Sequence, residues 1–143
     1  MLRAEKEERC MLNVSGQRVR KAVFLVESSL RDGRRLSDWL EGAGQRVLWA
    51  HNAEEAAQLL HDASYIECHL DGLLINFALE DASRVSIVNQ FRAAYPWAPV
   101  AVFAHPLDPS AELWTYARGF QFLRAPLRSE EVVGWSRQLC VAV

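Results

Sequence analysis

The stretch Asp71-Gly72-Leu73-Leu74-Ile75-Asn76-Phe77-Ala78-Leu79, DGLLINFAL, is a short apolar run interrupted by a single amide. Gly72 to Phe77 reads as a strand buried on both faces, because polar residues do not alternate with the apolar ones as they would on a sheet with one wet side. Such a strand needs helices on both sides of its sheet, so the flanking sequence should supply them.

Toward the N-terminus, Ala22-Val23-Phe24-Leu25-Val26 is a second run of this kind. The segment SSLRDGRRLSDWLEGAG after it places Leu30, Leu36, Trp39, Leu40 and Ala43 near helical spacing, with Ser28 or Ser29 as the cap and Gly42 and Gly44 at the end. Arg46 to Ala50 forms another strand, and Asn52 with Glu55 resembles a capping box opening a helix through Ala63. Toward the C-terminus, Ser83 to Tyr95 is a helix with Val85, Val88, Phe91 and Tyr95 on one side. Pro96, Trp97 and Pro99 mark a turn into the strand Pro99 to Ala104. Asp108-Pro109 starts a helix to about Arg118, Phe120 to Arg124 is the fifth strand, and a last helix runs from Ser129 to about Cys140. Five strand-helix units predict an α/β fold, a five-stranded parallel sheet with helices on both faces and its chemistry at the carboxyl ends of the strands.

The chain has 143 residues, half of them hydrophobic, enough for one core and too few for two. We expect a flexible N-terminal segment over residues 1–19 and one domain over residues 20–143. A net charge of -2, with the cations scattered apart from Arg18-Val19-Arg20-Lys21, argues against binding nucleic acid. Cys10, Cys68 and Cys140 have no metal or disulfide spacing, no apolar run is long enough to span a bilayer, and MLRAEKEERCML is charged where a signal peptide would be apolar. These features predict a cytoplasmic protein without metal or cofactor.

The strand ends carry Glu27-Ser28, Asn76, Ala104-His105 and Ala125-Pro126. With the order of elements and the segment FLRAPL, these positions resemble the CheY-like receiver domains of two-component response regulators, over residues from about 20 to 141. The resemblance implies a flavodoxin-like (βα)5 fold and a role in bacterial signalling. In that family an acidic pair follows strand one, a phosphoacceptor Asp ends strand three, Thr or Ser ends strand four, and Lys-Pro follows strand five. The carboxylates hold a divalent cation, while the hydroxyl and ammonium bind the phosphoryl oxygens. This chain keeps Glu27 of the pair, with Ser28 second. Asn76 stands at the acceptor, Ala104 at the hydroxyl and Ala125 at the lysine, while Pro126 is retained. An amide is a poor nucleophile beside a carboxylate, so the resemblance implies a degenerate phosphorylation site and no enzyme.

Blander roles stand beside these. Asn76 can simply hydrogen-bond a neighbouring loop. Glu27 and His105 share a sheet edge, but no nucleophile is placed with them in a recognisable motif. His51, His61 and His69 lack a ligand spacing and read as solvated or locally bonded, and Ser64 to Leu70 makes a long link into the third strand. Trp114, Tyr116, Phe122 and Trp135 fall on the last two helices and the fifth strand, where Tyr and Trp near the surface suit a protein interface. The expected function is a phosphorylation-independent receiver-like module that meets a protein partner or a second copy through helix four, strand five and helix five. The rivals are a regulatory or dimerisation module of a larger transcriptional regulator, and a small ligand-binding domain or enzyme using the strand ends.

Overall fold

The structure, a computed structural model, describes residues 21–65, 69–104 and 108–139. Outside them lie the N-terminal segment 1–19, His105, all three cysteines and part of the long link before the third strand.

The chain runs β1 (Ala22–Val26), α1 (Leu30–Gly42), β2 (Arg46–Ala50), α2 (Ala53–Tyr65), β3 (Gly72–Asn76), α3 (Asp81–Ala94), β4 (Val100–Ala104), α4 (Pro109–Ala117), β5 (Gln121–Arg124) and α5 (Ser129–Gln138). All five strands are parallel in the order β2-β1-β3-β4-β5. The expected α/β architecture is therefore present, with element ends shifted by one or two residues from the sequence reading.

Both faces of the sheet are covered. Phe24, Val26, Leu73, Ile75, Val100 and Val102 point to one layer, where they meet Ala56 and Leu60 of α2 and Ile87, Val88 and Phe91 of α3. Val23, Leu25, Leu74, Ala101, Phe103 and Leu123 point to the other, against Leu36 and Leu40 of α1, Val132 and Trp135 of α5 and Leu139 at its end. Alternate residues of one strand thus feed two cores, which is why β1, β3 and β4 read as continuous apolar runs. Asp71 fixes the start of β3 beside β1: its amide donates to Ala22 O at 2.7 Å, and its carboxylate accepts from Ala22 N–H at 2.8 Å.

The helix starts follow local chemistry. Ser29 caps α1 by accepting from Asp32 N–H, and Asp108 caps α4 by accepting from Ala111 N–H, with Pro109 in the first turn. Asn52 accepts from Glu55 N–H at 2.7 Å, and Glu55 reaches back to His51 N–H at 3.0 Å, one residue further than in the usual reciprocal box.

Two sequence expectations need correction. The buried face of α3 is Arg84, Ile87, Val88 and Phe91, so Arg84 takes the inward position expected of Val85. Trp135, expected near the surface, is 3 % exposed. Its ring fits because position 72 is glycine: a Cβ there would stand 3.1 Å from Trp135 Cη2 and 2.7 Å from Leu139 Cδ2.

Candidate functional site

Parallel strands end on one edge, so residues far apart in sequence meet there. Glu27 after β1, Asn76 at the end of β3, Ala104 at the end of β4 and Ala125 after β5 line one cleft of about 440 Å³. Leu36, Phe103, Pro126 and Leu127 add apolar wall, while Arg31, Asp32 and Arg35 come from the first two turns of α1. Ser28 is exposed beside the cleft and does not line it. The Ala125-Pro126 peptide is cis.

Glu27 is 2 % exposed, and both its carboxylate oxygens are occupied. One accepts from Ser29 N–H at 3.0 Å and the other from the Asn76 amide at 2.8 Å. Burial pushes its pKa up from the ordinary carboxylate range, and the bonds from Ser29 and Asn76 pull against that rise. The backbone around it is tied down as well, since Trp49 Nε1 donates to Glu27 O at 2.9 Å. The Trp49 indole lies where a side chain at position 33 would be, 2.0 Å from an added Cβ, so only glycine fits in that turn of α1.

Asn76 explains the amide in the apolar run. Its Nδ2 donates to Glu27, and its Oδ1 accepts from Ala78 N–H at 2.9 Å in the turn that leaves β3. A carboxylate could do the second and not the first. The arrangement offers no nucleophile at Asn76, Ala104 or Ala125, and among the described residues no three His, Cys, Asp or Glu side chains gather as a metal site.

The expected interaction residues separate. Tyr116 is 60 % exposed, and its ring meets the half-buried Phe122 edge-on at 6.3 Å. Glu112 and Arg124 pair beside them at 2.9 Å. Trp114 is half-buried, between Phe77 at 5.8 Å and Phe120 at 6.1 Å. Trp135 faces the core on the opposite layer and cannot serve as a surface anchor. Of the histidines, His51 binds Glu55 at 2.8 Å, His61 is exposed, and His69 is buried 2.9 Å from Asp71 and stacked on Trp97. Arg84 was missed as a structural residue; its spacing of three, four and seven from Ile87, Val88 and Phe91 was the available signal.

No protein-family profile and no curated protein sequence matches the chain. Solved structures do match. The chemotaxis response regulator CheY4 of Vibrio cholerae superposes with a TM-score of 0.68 at 18 % identity, over 85 % of this chain and 99 % of that one. This is the receiver fold. The signal receiver domain of an HD-domain-containing protein from Pseudomonas fluorescens Pf-5 gives 0.68 at 20 % identity, over 84 % and 94 % of the two chains. The non-phosphorylated receiver domain of HemR from Leptospira biflexa gives 0.68 at 19 %, over 87 % and 96 %. The same topology thus occurs at low identity, as expected where the buried face of each element, rather than particular side chains, sets the fold. Among the described residues, no helix of this receiver fold is long and apolar enough to cross a membrane.

Proposed function

We propose that the domain is a phosphorylation-independent receiver module that signals through protein contacts. The observation that carries this reading is the 2.8 Å bond from the Asn76 amide to Glu27, which puts an amide and a carboxylate it already occupies where phosphoryl transfer would need a nucleophile and a metal-binding carboxylate pair. Ala104 and Ala125 supply neither hydroxyl nor ammonium to hold phosphoryl oxygens. Incubation with acetyl phosphate and magnesium is expected to leave the intact mass unchanged. An acid-labile gain of one phosphoryl group would overturn the reading.

The contact surface in this reading is formed by α4, β5 and α5, with Tyr116 and Phe122 as its aromatic centre in place of the buried Trp135. β5 ends the sheet, and Leu113 and Tyr116 expose apolar area on α4 beside it. Tyr116→Ala is expected to weaken self-association by on the order of 2 kcal/mol, roughly 30-fold in Kd, as an interface anchor does. Sedimentation across a concentration series reads this. An unchanged Kd moves the interface elsewhere, and a parent that stays monomeric leaves a different protein as the occupant.

A further inference from the structure

Arg84 is a charged residue inside the molecule that takes no part in the cleft. It leaves α3 on the buried face and is 4 % exposed. One guanidinium nitrogen donates to Phe77 O at 2.7 Å and Leu79 O at 2.8 Å, and another to Asp81 at 2.6 Å. The group lies over the Phe77 ring at 3.8 Å from its centroid and over the Trp114 ring at 4.6 Å. Phe77 belongs to the turn that follows Asn76, whereas Trp114 belongs to α4. Arg118 covers Trp114 as well, at 4.1 Å.

A guanidinium does not lose its charge in a protein, so one placed in the interior must keep its acceptors and aromatic faces or return to water. Here the acceptors are supplied by the turn after β3 and one aromatic face by α4. Moving either segment alone uncovers the same cation. The turn also carries Ala78 N–H, which donates to Asn76 Oδ1, so the turn that holds the cation is itself bonded to the Asn76 and Glu27 pair, while the same cation touches α4 through Trp114. Asp108, which caps α4, has its pKa lowered chiefly by the Ser110 hydroxyl, with the Arg84 charge acting in the same direction.

We propose that Arg84 is an internal clamp that couples the turn after Asn76 to α4, so that the two segments hold or loosen together. Its meaning for signalling rests on the receiver-module reading: a resident cation would hold the α4 face in one arrangement without any phosphoryl group. The clamp itself is tested independently of that reading.

Hydrogen exchange followed by mass spectrometry compares the parent with Arg84→Met, which keeps an apolar stem without donors, and with Trp114→Leu. Arg84→Met is expected to speed exchange by about tenfold or more in both residues 77–82 and residues 110–117, with β1 and α1 unchanged. Because coupling is reciprocal, Trp114→Leu on α4 should speed exchange at Ala78 as well. Faster exchange confined to the turn in the Met variant, or an unaffected turn in the Trp114 variant, overturns the clamp. If the Met variant does not fold, Arg84→Lys carries the test, since it keeps the charge but loses the fork that reaches the carbonyls and Asp81 together. Parent-like exchange in both segments of the Lys variant overturns the proposal. A domain that passes this test yet gains a phosphoryl group from acetyl phosphate keeps its clamp and loses the phosphorylation-independent reading.

Discussion

Asn76→Asp is expected to cost the domain about 2–3 kcal/mol at neutral pH, the equivalent of a carboxyl pKa displaced by roughly two units. The substitution replaces the donor that meets Glu27 at 2.8 Å with an oxygen, setting two carboxylates at hydrogen-bond distance. Glu27 is buried and already has its pKa raised by that burial. Position 76 is half-buried, so water reaches the new charge and keeps the cost below that of a fully buried unpaired ion. The sign of the pH dependence follows from the raised values. The folded variant holds more protons than the unfolded chain between the ordinary carboxyl pKa and the raised one, so its stability falls as pH rises through that window and recovers on the acid side. Glu27 in the parent contributes with the same sign. Urea unfolding at about pH 5 and about pH 7.5 should therefore show a smaller loss at the lower value, because the two conditions lie on either side of the upper edge of the window. Equal losses at both would mean that the two carboxylates do not share a site. Magnesium should raise the midpoint of the variant and leave that of the parent alone, because two carboxylates are a usual protein contribution to that ion. Efficient phosphoryl uptake is still not expected, since Ser28, Ala104 and Ala125 remain.

Trp135→Ala should be the most damaging single truncation on the last helix, at about 3–5 kcal/mol, the range for removing a large aromatic from a core. The ring packs over Gly72 with Leu139 and belongs to the layer formed with Leu36, Leu40 and Leu123. No neighbouring side chain can fill a void of that size without backbone movement. Thermal unfolding should fall by roughly 10–25 °C for a domain of this length. Tyr116→Ala, in an exposed position, should move stability by only about 0.5 kcal/mol. The two variants separate the roles that sequence alone had merged, one aromatic serving the fold and the other the surface. A folded Trp135→Ala protein with the melting temperature of the parent would place the ring outside the core.

Trp135 also shows what kind of information was missing. Val132, Trp135 and Leu139 stand three and seven residues apart, so their common face was legible from spacing. Which face had room for an indole was not, because the slot is made by Gly72, distant in sequence and brought beneath α5 only by the sheet. Arg84 follows the same logic. Its position on the inner face of α3 could be counted from Ile87, Val88 and Phe91, but a charge is acceptable there only because two carbonyls of the turn and two aromatic rings, one from α4, surround it.

The order of elements, their approximate ends and the gathering of Glu27, Asn76, Ala104 and Ala125 at one sheet edge were readable from the chain alone. Apolar periodicity is a local property, and parallel strands joined by helices bring their carboxyl ends together whatever residues they carry. Only the tertiary structure decided that the Asn76 amide bonds Glu27, that Trp135 is buried while Tyr116 is not, and that Arg84 joins the turn after β3 to α4. Each of these depends on distances between side chains from different elements, and no spacing along the chain specifies such a distance until the helices are packed on the sheet.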